Sequence, residues 1–84
     1  MNDKKSKHIV KLYSTNSCPW CSVAKQYLED NEISFEEIDV SSDYEAAMKM
    51  VQMSGSQGVP QIQIDEEIIV GFNKEAIDNL LELN

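Results

Sequence analysis

Two cysteines decide what this chain can be. Cys18 and Cys21 are its only ones, and they enclose Pro19-Trp20. The apolar run Ile9-Val10-Lys11-Leu12-Tyr13 precedes them and reads as a strand; a helical pattern follows. A strand that runs through Cys-x-x-Cys into a helix puts Cys18 at the helix N-terminus. Free backbone N–H groups and the helix dipole there favour a negative charge. The thiolate is the nucleophile of disulfide exchange. Cys21, one helical turn further on, is within reach of a mixed disulfide formed at Cys18.

Other uses of the pair fit less well. A structural zinc site needs four ligands, mostly Cys or His. This chain has two cysteines and one histidine, His8, and cannot close such a site alone. A secreted disulfide framework carries more cysteines and an export signal. Residues 1–7 lead into the first strand with no apolar stretch, so no export signal and a cytoplasmic location are expected. The inert structural pair is the plain alternative. A redox dithiol is the reading this spacing takes beside a βαβ pattern.

With 84 residues the chain is one domain, near the lower size limit for a self-sufficient core. No apolar run approaches the ~18 residues of a membrane helix. The formal net charge is −8 and there is no Arg. Four of the seven Lys (Lys4, Lys5, Lys7, Lys11) fall in the first eleven residues, and residues 1–7 read as a flexible Lys-rich tail to a domain over 8–84. From Leu12 onward three Lys face fourteen acids, a balance of −11. Such a body repels phosphate backbones, so no nucleic acid and no membrane partner is expected. It suits a protein with a basic docking face, with solubility alone as the plain alternative.

The pattern gives β-α-β-α-β-β-α. His8 to Tyr13 is the first strand. Pro19 suits a first helical turn, and Val23, Ala24, Tyr27 and Leu28 mark one face of a helix ending near Asp30-Asn31. Ser34 to Val40 is the second strand. Ser42 with Glu45 is a capping-box signature; the helix it opens carries Ala46, Ala47, Met50 and Val51 and stops at Gly55. Met48, Met50 and Met53 read as helix packing. Gln61 to Ile64 and Glu67 to Val70 form a hairpin across Asp65-Glu66, where a type I′ turn would want positive φ at both positions. Asn73 caps a last helix with Ile77, Leu80 and Leu81 on its apolar face. The first βαβ unit requires parallel pairing and the hairpin antiparallel pairing, which makes a four-stranded mixed sheet flanked by helices.

Taken together, Cys-Pro-Trp-Cys opening a helix, Gly58-Val59-Pro60 opening the third strand and Val70-Gly71-Phe72 before the last helix resemble the glutaredoxin family, with its thioredoxin-like fold. The resemblance runs from His8 to Leu83. It implies Cys18 as the attacking and Cys21 as the resolving cysteine. A cis X–Pro bond has a base rate of only ~5–6%, yet the resemblance implies one at Pro60, with the Val59 backbone offered to an extended substrate. Pro19, Trp20, Val59, Pro60, Gly71 and Phe72 are thus the candidate substrate-binding residues, and no metal is implied.

Departures from the family pattern bear on the electron donor. The cation usual three residues before the first cysteine is Thr15 here, the usual Gly-Gly is Gly71-Phe72, and the usual Thr before Val-Pro is Gly58. Gly-Phe at this place is similar to the hydrogen-donor redoxins of ribonucleotide reductase, which take electrons from a flavoprotein reductase. The acid beneath the dithiol of thioredoxins falls at Leu12. Lys74 could replace the missing cation, with its direction undefined. The expectation is a monomeric dithiol oxidoreductase without bound cofactor, reducing disulfide-containing client proteins. It would be recharged by a flavoprotein disulfide reductase, with glutathione possible as reductant. Two other readings are a dimeric iron–sulfur carrier using Cys18, and a non-catalytic acidic binding module. Brown colour would mark the first and a redox-inert dithiol the second.

Overall fold

Among the described residues every helix starts on a side chain that accepts a hydrogen bond. The computed structural model describes residues 8–82; the expected Lys-rich tail, residues 1–7, lies outside the described residues. The elements are β1 (Val10–Ser14), α1 (Pro19–Asp30), β2 (Glu36–Asp39), α2 (Tyr44–Ser54), β3 (Gln61–Ile64), β4 (Glu67–Val70) and α3 (Lys74–Leu81). Cys18 caps α1 through its sulfur, which accepts from the Cys21 N–H at 3.1 Å. Asn73 caps α3, accepting from the Ala76 N–H at 3.1 Å. For α2 the cap is Asp43, not Ser42: Asp43 Oδ1 accepts from the Ala46 N–H at 3.0 Å. Ser42 is used one step earlier, its N–H and hydroxyl both reaching the Asp39 carbonyl in the turn that leaves β2. Gly55 ends α2 at φ +75°, a conformation that favours glycine.

The sheet order is β2-β1-β3-β4. β1 pairs in parallel with β2, with Leu12 opposite Glu37, and antiparallel with β3, with Leu12 opposite Ile62. β3 and β4 form the antiparallel hairpin. At its turn only Asp65 takes a positive φ, +56°, so Asp65-Glu66 is not the doubly left-handed type I′ turn.

Strand alternation separates two faces. Val10, Leu12, Ile62, Ile64 and Ile69 point to one side, where α1 brings Ala24 and Leu28 and α3 brings Ile77 and Leu81; this is the core. Each fully buried Leu or Ile contributes on the order of 1.5–3 kcal/mol by leaving water. Tyr13 and Gln61 point to the other side, toward α2 and its buried Met50. Val23 is exposed and does not share the core face of α1. Met48 and Met53 are exposed too, so of these three methionines only Met50 packs.

Tyr13 is fully buried and donates its hydroxyl to Gln63 Oε1 at 3.1 Å. His8 lies outside β1, which starts at Val10. Its Nδ1 sits 2.7 Å from Asp65 Oδ2 across the hairpin turn. Among the described residues no helix is long and apolar enough to cross a membrane.

Candidate active site

Three connections meet at one end of the sheet: the loop from β1 into α1, the segment before β3, and the segment after β4. The first ends in Cys18, half-buried at the helix start. Pro19 takes the first helical position, where its missing N–H costs nothing. Cys21 is one turn on and buried at 3% exposure. Both are free thiols.

The two sulfurs have different surroundings. Burial pushes the Cys21 thiol up to about 11, followed by its hydrogen bond with Cys18; the Cys18 and Glu37 charges add to the rise, while a backbone hydrogen bond from Thr15 opposes it. Two of these causes belong to Cys18 itself. Once Cys18 is bonded to a substrate sulfur it can no longer act as a thiolate neighbour, and Cys21 becomes easier to ionise. Leu12, where the resemblance puts the thioredoxin acid, is fully buried and apolar. Glu37, opposite Leu12 on β2, reaches Ser14 Oγ at 3.4 Å and Lys25 Nζ at 3.2 Å. That ion pair is half exposed and adds little stability.

The segment before β3 brings Val59 and Pro60. Their peptide bond is cis. The Cys18 thiol donates toward the Val59 carbonyl at 3.8 Å. Pro60 is buried, and its carbonyl accepts from the Gly71 N–H at 2.8 Å, which carries the β3–β4 ladder one step beyond the strands. Gly71 has φ +84° and nothing within 4 Å of a built Cβ. Backbone conformation, not space, calls for glycine there.

Phe72 follows and stacks on Trp20, with ring centroids 6.2 Å apart and 23° between planes. Tyr27 also meets Phe72, edge-on, with centroids 5.6 Å apart. Trp20 remains 60% exposed. Trp20, Val59, Pro60, Gly71 and Phe72 line one cleft of about 240 Å³ beside the dithiol. Pro19 is exposed next to this cleft and does not line it.

Several residues near the site had no role in the sequence reading. Tyr27 supports Phe72 and donates its hydroxyl to Asp78, which also accepts from Lys74 at 3.0 Å. These two bonds hold the Asp78 carboxyl below its ordinary range. The Lys74 ammonium therefore lies over the Tyr27 ring and against Asp78, with its charge engaged there. The i,i+4 spacing of Lys74 and Asp78 was the available signal. Gln61 gave none: in a Gln-Ile-Gln-Ile strand a glutamine reads as the wet face, yet Gln61 is fully buried.

A four-stranded mixed sheet carrying Cys-x-x-Cys at the start of its first helix, beside a cis-proline, defines the thioredoxin-like class of dithiol proteins. Within that class, residues 10–69 match the glutaredoxin family model. The chain belongs to the glutaredoxin family, whose members are thiol-disulfide oxidoreductases. It is 46% identical over 74 residues to an uncharacterised glutaredoxin-like 8.6 kDa protein of a rubredoxin operon in Clostridium pasteurianum, covering 88% of this chain and 99% of that one. It is 32% identical over 72 residues to the glutaredoxin-like protein NrdH of Lactococcus lactis, covering 86% and 99%. The NrdH-redoxin structure of Escherichia coli, described as glutaredoxin-like with a thioredoxin-like activity profile, superposes with TM-score 0.74. It is 25% identical, with 84% of this chain and 92% of that one covered.

Proposed function

We propose that this protein reduces disulfides in client proteins through Cys18 and Cys21 and receives its electrons from a flavoprotein disulfide reductase. One observation carries the reading. Cys18 is accessible at a helix start, 3.8 Å from the Val59 carbonyl, while Cys21 is buried behind it and holds its proton.

The Cys18 thiolate attacks one sulfur of the client disulfide. A Cys18–client bond forms, the client S–S bond breaks, and the departing sulfur leaves as a thiolate that takes up a proton. Cys21 then loses its proton and attacks Cys18. The mixed disulfide breaks, the second client sulfur leaves reduced, and a Cys18–Cys21 disulfide remains. Two electrons have passed to the client, and the reductase returns two to the protein. An extended client segment docks by adding its backbone to the edge at Val59, with side chains resting on Trp20 and Phe72.

The charge distribution favours the flavoprotein donor over glutathione. Glutathione carries two carboxylates. Thr15 offers no cation, Lys74 is engaged by Asp78, and the body is strongly acidic. One missing charge-assisted hydrogen bond costs ~1.5–3 kcal/mol, or roughly tenfold to a hundredfold in affinity. The thioredoxin-like activity profile of the similar NrdH-redoxin from Escherichia coli supports the same choice. The protein works as a monomer with no bound cofactor, in a reducing compartment such as the cytoplasm.

A donor comparison tests this. Disulfide reduction is followed with glutathione and glutathione reductase, and in parallel with NADPH and a flavoprotein disulfide reductase. The second system turns over faster, and its rate falls as salt rises. Thr15→Lys raises turnover with glutathione. Efficient turnover of the wild-type protein with glutathione, and none with any flavoprotein reductase tried, defeats the donor assignment.

A further inference from the structure

Gln61 is the first residue of β3, directly after Pro60, and none of it is exposed. Its Nε2 donates to two carbonyls of the preceding loop, Ser56 at 3.0 Å and Gly58 at 2.8 Å. Among the described residues its Oε1 has no hydrogen-bond partner. A buried carbonyl oxygen left without a partner costs the fold. An apolar residue here would remove that oxygen but leave the Ser56 and Gly58 carbonyls without their donor.

What the amide supplies is order in the loop before Val59. The loop reads Ser54-Gly55-Ser56-Gln57-Gly58, rich in residues with much backbone freedom to lose. Gly58 is not in the left-handed region, and a Cβ there would meet Ser56 Oγ at an ordinary 3.6 Å, so neither strain nor crowding fixes it. Hydrogen bonds do: Ser56 Oγ accepts from the Gly58 N–H at 3.1 Å, and Ser54 Oγ accepts from the Ser56 N–H at 3.1 Å. Val59 thus stands between two anchors. The Gly71 N–H holds the Pro60 carbonyl on one side, and the Gln61 amide holds the loop on the other.

We infer that Gln61 is a positioning residue: it fixes the Val59 backbone for extended disulfide clients without touching them, and so governs how tightly such clients bind rather than how fast Cys18 reacts. The inference rests on the proposed exchange reaction at Cys18 and extends it to the docking of the client.

Gln61→Met removes both donors and the unpartnered oxygen at nearly constant length. Pre-reduced protein is mixed with two oxidants in single turnover. One is an extended peptide carrying a disulfide-bonded cysteine. The other is bis(2-hydroxyethyl) disulfide, which has no backbone to pair with Val59. The half-saturating peptide concentration rises roughly tenfold on loss of the clamp. Its limiting rate and the rate with the small disulfide hold, and amide exchange at Val59 accelerates. Equal losses with both oxidants, or no change in peptide saturation, overturn the inference. A wild-type protein that reduces the small disulfide but shows no saturation with peptide also overturns it and leaves the exchange reading intact. Inertness toward both oxidants defeats the exchange reading and the inference with it. Should Gln61→Met fail to fold, Ser56→Ala decides: it removes the acceptor for the Gly58 N–H and weakens peptide saturation in the same direction by a smaller factor.

Discussion

The two ends of the sheet are finished in opposite ways. At the hairpin end the backbone is tied off. The Asp65 N–H reaches the Ile9 carbonyl at 2.9 Å, the Ile9 N–H returns to Asp65 Oδ1 at 2.9 Å, and His8 closes on the other carboxylate oxygen. At the dithiol end the backbone is anchored from within, but the groups that face outward make long or partial contacts. A thiol points at a carbonyl 3.8 Å away, and an exposed Trp20 leans on Phe72. One end uses its polar groups on itself and the other leaves them to be used. The same rigid sheet thus carries a closed end and an open one, the usual arrangement for binding loops on a scaffold.

The largest contrast is chemical. Cys18→Ser is expected to abolish exchange with every disulfide tested while leaving thermal unfolding nearly unchanged, because Ser is itself a good N-cap for α1. Cys21→Ser should leave Cys18 open to iodoacetamide and accumulate mixed disulfides that mass spectrometry detects. Alkylation of Cys21 before Cys18 in the wild-type protein at neutral pH would reverse the assigned roles.

Alkali should weaken the open end. Burial, with Cys18's hydrogen bond next, raises the Cys21 thiol from 9.0 to about 11. The folded state therefore binds this proton more tightly than the unfolded one. The associated stability is fully present below about 9 and is lost as pH rises through about 11. Urea unfolding of the reduced protein should show a falling midpoint across that window, and Cys21→Ala should remove this part of the slope. A flat wild-type profile would mean that Cys21 is not held protonated by the fold.

Two glycines at the open end separate conformation from space. Gly71 sits at φ +84° with open surroundings, so Gly71→Ala should cost about 1–2 kcal/mol through the backbone alone. Gly58 has no such φ, and Gly58→Ala should stay within about 0.5 kcal/mol. Chemical denaturation of the two variants reads the difference. Equal costs would show that the loop before Val59 is as constrained as the one before Phe72.

The dithiol, the hairpin strands and the Asn73 cap were legible because each rests on local chemistry. A sulfur at a helix start, alternating isoleucines and an amide side chain before a helix act within a few residues. What stayed illegible depends on packing between elements. Asp43 and Ser42 are equally good caps in sequence; only the turn at Asp39, which occupies Ser42, decides between them. His8 has strand neighbours, but the chain reaches Asp65 before pairing begins. Val23 was placed on the apolar face of its helix and is exposed, and Gln61, read only as the start of a strand, is fully buried. Val23 faces outward because α1 gives Ala24 and Leu28 to the core, while Gln61 faces inward because the loop before Pro60 needs its donors. The direction of Lys74 was fixed by Asp78 and Tyr27, from an adjacent turn and another helix.

The smallest effect belongs to the closed end. The Ile9 N–H, and then His8, hold the Asp65 carboxyl below its usual 3.8. A depressed carboxylate contributes stability above the unfolded value and loses it as pH falls through the folded one, so the clasp weakens only below about pH 4. Asp78 and Asp39 are also held low and titrate in the same sense, so the wild-type slope alone is not diagnostic. The difference between wild type and Asp65→Asn is. Asn keeps an oxygen for the Ile9 N–H and tolerates the φ of +56° at this turn, so the geometry persists while the titration goes. The variant should unfold slightly more easily at neutral pH and lose part of the acid slope. Asp65 is half exposed, so salt should shrink the gap between the two proteins. Alkylation of Cys18 at neutral pH should proceed at the wild-type rate. A changed alkylation rate in Asp65→Asn would show that the closed end helps to hold the open one, and the separation between the two would fail.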